Sequence, residues 1–186
     1  MNNTKKLVSD KTINAYINRL KNMQKYENSE KGDELFIEKY IVQSEQVENL
    51  YVKAKINDFE IFNDEPKEYG SNKAPRPMET LLASIANCLE ISALLYFTFA
   101  KLDIKSIKVQ VEATIDKRSV LTDKNRPMPG FYSFNITWYI ETEENLKKIE
   151  RVIERVENNC HALGTISRSH TFPKKIIILK NNNNPK

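Results

Sequence analysis

A long apolar segment from Met78 to Ala100 limits most strongly how this chain can fold. Apolar residues lie on all sides of a helix drawn through it, and Glu90 is the only charged residue between Glu79 and Lys101. Pro77 suits the first position of that helix, where its missing N–H leaves no hydrogen bond unmade. A helix that is apolar all round is buried. The segment therefore predicts a long central helix that other elements must cover.

The remaining elements are predicted in the order α-β-β-α-β-β-α-β. Strands in adjacent pairs, with helices between the pairs, are typical of an α+β fold with mostly antiparallel sheet. The predicted elements are a first helix capped by Ser9 or Asp10, strands over Glu34–Ser44 and Asn49–Phe62, the central helix, strands over Ile107–Ile115 and Tyr132–Ile140, a helix capped by Thr142, and a last strand over Lys174–Lys180.

The length of 186 residues favours one domain with a core of its own. We expect residues 1–33 to form an N-terminal helical extension, residues 34–180 the main domain, and residues 181–186 a disordered tail.

The charge pattern argues against several classes of partner. The formal net charge is +4, but three lysines lie in the polar chain ends, so the body is nearly neutral. Without a clustered basic face, nucleic acid is not an expected partner. The sequence shows no secretory signal and no uncharged apolar run of roughly 20 residues. We therefore expect a cytoplasmic protein with no membrane partner.

The chain has two cysteines, Cys88 and Cys160. This number excludes zinc ribbons, iron–sulfur cradles and disulfide-dense scaffolds. A site formed by both cysteines with His161 and His170 lacks the usual ligand spacing. The four glycines are too far apart for a phosphate-binding loop or a dinucleotide fingerprint. We expect neither a metal nor a cofactor.

Each cysteine has an ordinary interpretation and a functional one. A free cysteine in a buried helix, such as Cys88, usually acts as a small hydrophobic residue. Cys160 lies among residues that favour caps and turns, which indicates a mobile surface thiol. Together, a helix cysteine and a terminal cysteine also suit two-step redox chemistry, in which a sulfenic acid condenses with a second thiol. A Cys–His hydrolase using His161 or His170 is a further alternative, but it gives Cys160 no role.

A nucleophilic Cys88 requires a group that stabilises its thiolate. No basic residue lies between Arg76 and Lys101. The positive charge that would stabilise the thiolate must therefore come from elsewhere in the fold or from a partner chain. Near the second cysteine the candidates are His161, Arg168 and His170.

Glu79 is a third candidate site residue. It lies in the opening turn of the central helix, where a carboxylate can accept from free backbone N–H groups. On a continuous helix it is about 13.5 Å along the axis from Cys88. Direct contact would require a break in the helix or an intermediary such as an arginine.

At these positions the chain resembles the OsmC/Ohr family, the osmotically inducible and organic-hydroperoxide-resistance proteins. The central segment looks like the family pattern P-x-E-x-L-L-A-A-x-A-x-C, and the resemblance spans residues 35 to 180. The matching pieces are Asp64-Glu65-Pro66, Gly70, Pro77 to Cys88, Ile115-Asp116, Pro129-Gly130-Phe131 and Cys160.

The resemblance implies an OsmC-like fold, in which antiparallel sheets wrap around long central helices in an intertwined homodimer. It also implies active sites at the subunit interface. Cys88 would attack a hydroperoxide and Cys160 would resolve the sulfenic acid as a disulfide. An external dithiol would then restore both thiols.

Catalytic family members also use an arginine from the N-terminal strands, held by a glutamate that Glu79 matches. The segment Glu34–Phe62 contains lysines but no arginine, so this role is unassigned. The spacing between Glu79 and Cys88 is closer to the broader OsmC-like branch than to the hydroperoxide-resistance enzymes.

The sequence thus predicts a thiol-dependent peroxidase that acts on organic hydroperoxides, with a role in the oxidative stress response. Two alternatives remain. One is a non-catalytic OsmC-like dimer that binds a small apolar ligand or a partner. The other is a Cys–His acyl hydrolase.

Overall fold

The computed structural model describes residues 6–29 and 32–178. The predicted tail at 181–186 lies outside them. The helices are α1 (Asp10–Tyr26), α2 (Gly32–Phe36), α3 (Pro77–Phe99), α4 (Leu146–Asn159) and α5 (His161–Ile166). The strands are β1 (Gln43–Glu48), β2 (Tyr51–Ile56), β3 (Phe59–Asn63), β4 (Ile104–Ile115) and β5 (Phe131–Thr142), and Lys117–Val120 form one 3₁₀ turn.

The predicted central helix is confirmed as α3, with Pro77 in its first turn. Every fourth residue from Ile85 to Phe97 is buried, so these residues form one stripe along the helix. The prediction that the whole helix is buried is wrong for a single chain, because Ile91 on another face is 56% exposed. Among the described residues, α3 is the one helix whose length and composition would suit a membrane span. Its buried stripe is instead part of the protein core.

The predicted antiparallel pairing is confirmed in two separate sheets. One sheet has the order β1-β2-β3 and the other pairs β4 with β5. In the second sheet Val109 lies opposite Trp138, and Val111 opposite Ile136. Side chains directly opposite each other in an antiparallel pair share a face, so these residues form one apolar surface.

The core lies where this surface meets α3 and α4. The fully or nearly buried apolar residues are Ile85, Leu89, Ala93 and Phe97 of α3, Ile104 and Val109 of β4, Ile149 and Val156 of α4, and Cys160.

The N-terminal strands differ from the prediction. Residues Glu34–Phe36 belong to α2, and the first strand begins only at Gln43. The segment predicted as one strand, Asn49–Phe62, instead folds back between β2 and β3. The turn contains Asn57, whose φ is 53°. Asparagine tolerates this left-handed conformation better than most residues, which explains the reversal.

The start of α4 also differs from the prediction. Its cap is Asn145, whose side chain accepts from the N–H of Lys147 at 2.9 Å. Thr142 instead accepts from the N–H of Glu144 and donates to the carbonyl of Asp103. Its hydroxyl therefore stabilises the turn before the helix.

The predicted last strand is absent over the described residues 174–178. Positions 179 and 180 of that prediction lie outside the described residues. Ile176, Ile177 and Ile178 are 79%, 69% and 79% exposed. Within this chain the segment is not paired with a sheet edge.

Candidate functional site

The two cysteines meet on one side of α3. The Sγ atoms of Cys160 and Cys88 are 3.4 Å apart, with the Cys160 thiol as donor. Cys88 lies near the middle of α3, and Cys160 lies between α4 and α5. The fold thus brings together the two cysteines that the sequence proposed as a pair.

Both flanking helices hold the backbone at Cys160. Its N–H donates to the carbonyl of Glu157 in α4, and its own carbonyl accepts from the N–H of Gly164 in α5. Its ψ of 115° is extended, which interrupts the helical path for one residue. Val156, one turn earlier, is fully buried and fixes this end of α4 in the core.

The exposure of the two thiols differs from the prediction. Cys160 is 3% exposed, so the expectation of a mobile surface thiol is wrong. The flanking polar residues correctly indicated a helix end, but that end packs into the core. Cys88 is half-buried and is therefore the more accessible of the two sulfurs.

Burial raises the pKa of the Cys160 thiol, and the neighbouring Cys88 adds to this effect. Backbone hydrogen bonds from Leu163 and Ala162 partly oppose the increase in pKa. Cys160 therefore retains its proton in the neutral range and can donate it to the sulfur of Cys88. In this geometry the sulfur of Cys88 is the hydrogen-bond acceptor of the pair.

Two of the three cationic candidates form other contacts. Nε of Arg168 donates to the carbonyl of Gly164 at 2.7 Å. Nε2 of His170 lies 2.8 Å from the carbonyl of Thr165. Within residues 6–29 and 32–178, no hydrogen bond joins His161, Arg168 or His170 to either sulfur. The described residues also contain no group of three or more His, Cys, Asp or Glu side chains that could hold a metal ion.

Glu79 lies apart from the cysteine pair in this chain. Its Oε2 accepts from the N–H of Arg76 at 2.9 Å, which caps the start of α3. The Arg76 guanidinium forms an ion pair of 3.7 Å with Glu65. Helix α3 is continuous from its start to Cys88, so the nine-residue separation of Glu79 from Cys88 spans about 13.5 Å. Glu79 remains a predicted site residue that would need a partner chain to approach a thiol.

A buried carboxylate that the sequence analysis did not identify fixes the loop before α3. Asp64 is 2% exposed and accepts from the N–H groups of Glu65, Ser71 and Lys73. These backbone hydrogen bonds, with that of Lys73 foremost, lower the pKa of Asp64 against the opposing effect of burial. The only sequence signal was the position of Asp64 in the quoted Asp-Glu-Pro motif.

Gly70 allows this loop to close. A Cβ atom at Gly70 would collide with the backbone carbonyl of Glu65, so only glycine fits this close approach without movement of the loop. The loop from Asp64 to Arg76 therefore connects β3 to α3 in one defined arrangement.

Comparison with known proteins gives consistent results for the fold. The OsmC family model, described as OsmC-like protein, matches residues 70–173. A search of curated proteins gave no match.

Several solved structures are similar to this chain. An OsmC-like protein from Mycoplasma pneumoniae is 23% identical with a TM-score of 0.61, covering 70% of this chain and 88% of that one. An organic hydroperoxide resistance protein OsmC from Legionella pneumophila is 17% identical with a TM-score of 0.52, covering 70% and 90%. A putative organic hydroperoxide resistance protein from Vibrio cholerae, with captopril bound in one active site, is 17% identical with a TM-score of 0.51, covering 70% and 85%.

At these identities the solved structures establish the α+β fold with its antiparallel sheets and long helix. The family model adds a match in sequence over more than half of the chain. The protein therefore belongs to the OsmC-like family.

Proposed function

We propose that this protein is a thiol peroxidase that reduces organic hydroperoxides, with Cys88 as the peroxidatic and Cys160 as the resolving cysteine. The observation that supports this most strongly is the 3.4 Å separation of the two sulfurs. The half-buried thiol is the one that a substrate can reach, and the buried thiol behind it is placed to react second.

The reaction would proceed in two steps at sulfur. The Cys88 thiolate attacks the O–O bond, a sulfenic acid forms, and the alkoxide takes a proton and leaves as an alcohol. Cys160 then attacks the sulfenic sulfur, so that an S–S bond forms and the hydroxyl group leaves as water with the thiol proton. An external dithiol reduces the disulfide and is itself oxidised. Per cycle, one hydroperoxide becomes one alcohol and one water.

The proposal includes a homodimer, because a single chain leaves large apolar surfaces uncovered. No residue of β1, β2 or β3 is buried. The register places Ala54 opposite Ile61 and Ile56 opposite Phe59, so these four residues form one apolar face of that sheet. On α3, Ile91 is likewise exposed. A second copy can cover both surfaces by packing its sheet against the helix.

Such a dimer would place Cys88 at the subunit interface. Ile91 is three residues from Cys88 and therefore lies on a neighbouring part of the helix surface. A residue of the second copy could then complete the site, and Glu79 with its neighbour Arg76 is the pair we propose for this. The dimer domain would comprise residues 34–180, with 1–33 as an extension, and we propose a cytoplasmic location where the thiols remain reduced.

A second candidate function is a non-catalytic OsmC-like dimer that binds a small apolar ligand or a partner. It is favoured by one specific observation: within the described residues, no cationic side chain forms a hydrogen bond with Cys88. The acyl hydrolase alternative has weaker support, since neither His161 nor His170 is hydrogen-bonded to a sulfur in the described part of the chain.

The test is consumption of cumene hydroperoxide in the presence of dithiothreitol. We expect turnover by the wild type and none by Cys88→Ser. Cys160→Ser should give one rapid reaction per subunit and should then depend on direct reduction of the sulfenic acid by the reductant. Ser84→Ala, one turn from Cys88 on the same helix, is a matched control that should retain activity. Equal rates of hydroperoxide consumption by the wild type and Cys88→Ser would exclude the peroxidase. If Cys88 reacts with the hydroperoxide no faster than the thiol of glutathione does, the binding function is favoured.

A further inference from the structure

A concave surface lies between α3 and α4, beside the buried part of the core. It is a groove of about 690 Å³. Its apolar walls come from the last turn of α3 and from Val152, and its polar groups come from α4. The residues that line it include Tyr96, Phe99, Arg151, Glu154, Arg155 and Asn159.

Two exposed arginines, Arg151 and Arg155, line this groove. Among the described arginines, Arg76 and Arg118 form ion pairs with Glu65 and Asp116. Arg151 and Arg155 form none within the described residues. They are four residues apart on α4, so their side chains are neighbours on one face and their like charges repel. An anion bound between them would remove this repulsion.

The composition of the groove indicates the kind of anion. Guanidinium groups bind carboxylates in a bidentate, charge-assisted manner. The aromatic side chains of Tyr96 and Phe99 provide an apolar wall next to the arginines. A ligand that satisfies both features has one carboxylate and an apolar body. Binding sites for small molecules commonly combine apolar walls with a few polar groups that fix orientation.

We propose that the α3–α4 groove binds an organic monocarboxylate, with the carboxylate between Arg151 and Arg155 and the apolar body against Tyr96 and Phe99. The proposal does not use either thiol and does not depend on peroxidase activity. Tyr96 is eight residues beyond Cys88, or about 12 Å along α3. The aromatic part of the groove is therefore distant from Cys88, whereas its Asn159 end adjoins Cys160.

The groove is also centred on a different part of α3 from the Ile91 surface proposed for dimer formation. Tyr96 is five residues beyond Ile91, which places the two side chains about 140° apart around the helix. Phe99, eight residues beyond Ile91, is about 80° from it around the helix and lies nearer to that surface. Glu154 is the one acidic residue of the groove, and its charge should weaken the binding of an anion.

The test is isothermal titration calorimetry of the reduced protein with octanoate. Octylamine has the same chain with the opposite charge, and octan-1-ol has the same chain with none. The variants are Arg151→Gln/Arg155→Gln, Glu154→Gln, and the control Lys67→Gln/Lys124→Gln, which removes the same charge from exposed sites without ion pairs in the described structure. The octanoate titration is repeated with the Cys88→Ser variant. Binding by this variant would show that the result does not depend on the peroxidase proposal.

We expect saturable binding of octanoate to the wild type and to the lysine control. The arginine variant should bind at least about tenfold more weakly, and Glu154→Gln should bind more tightly. Equal binding of octan-1-ol, equal binding by the arginine variant, or no saturable binding would overturn the proposal. A changed sedimentation coefficient for the arginine variant would also overturn it, since the groove would then be a protein interface.

Discussion

The sulfurs of Cys88 and Cys160 lie 3.4 Å apart, although 72 residues separate them in the chain. A disulfide has an S–S distance of about 2.05 Å, so the two atoms need to approach by a little more than about 1 Å. We therefore expect the pair to oxidise without unfolding of α4 or α5.

The first prediction concerns the products of oxidation. One equivalent of cumene hydroperoxide should convert the reduced wild type to a species lighter by two hydrogens. Cys160→Ser should instead gain one oxygen, because its Cys88 sulfenic acid has no thiol to condense with. Intact-mass spectrometry under non-reducing conditions measures both. Recovery of the unchanged mass, or of a stable sulfenic acid in the wild type, would contradict the assigned roles.

The sequence predicted the elements whose signals are local and repeated. The apolar run after Pro77 predicted α3 within a residue at each end. Proline loses no hydrogen bond in the first turn of a helix, where N–H groups have no intrahelical partner. The apolar pattern then continues through a helix of 23 residues. Alternation in Ile107–Ile115 predicted most of β4 for the same reason. Both signals are set by the local sequence and do not depend on tertiary contacts.

The parts that were not predicted depend on tertiary contacts. The burial of Cys160 arises because the end of α4 packs on α3, and no local pattern records that contact. The Asn57 reversal has no glycine beside it, so it lacked the usual hairpin signal. The polar residues around Cys160 predict an exposed thiol by their composition, whereas the burial of Cys160 is set by where α4 ends.

The second prediction tests the dimer through Ile91, which is 56% exposed in one chain. If a second copy covers it, Ile91→Glu should remove about 1.5–3 kcal/mol of apolar burial per protomer and add the cost of a buried charge. Sedimentation velocity should show a shift from dimer to monomer. Val120→Glu is a matched control, because Val120 is 81% exposed in a loop turn. A wild-type monomer, or a dimer unaffected by Ile91→Glu, would refute this interface.

The third prediction concerns the acid stability of the loop before α3. The backbone N–H groups at Asp64 lower its folded pKa below the unfolded value. The carboxylate therefore stabilises the fold fully above roughly pH 4, the ordinary value for aspartate, and this contribution is lost as the pH falls through the lower folded pKa.

Asp64→Asn should thus be less stable than the wild type at pH 7, and the difference should shrink below roughly pH 4. Urea unfolding followed by circular dichroism at a series of pH values measures it. Asp58→Asn, at an exposed turn position, provides the control and should differ little from the wild type. A difference for Asp64→Asn that is constant from pH 7 to pH 3 would show that ionisation of Asp64 is not the cause.

The last prediction uses the only tryptophan of the chain. Nε1 of Trp138 donates to Oε1 of Glu157 at 3.0 Å, which joins β5 to the last turn of α4 just before Cys160. Glu157→Ala removes the acceptor and should cost about 1 kcal/mol of unfolding free energy, whereas Glu157→Gln retains an acceptor oxygen and should cost less. Urea unfolding followed by tryptophan emission measures both, with the exposed Glu150→Ala as a control on the same helix. Because this hydrogen bond holds the α4 end near α3, Glu157→Ala should also slow formation of the Cys88–Cys160 disulfide, and an unchanged rate would mean that the core around Val156 is sufficient to position Cys160.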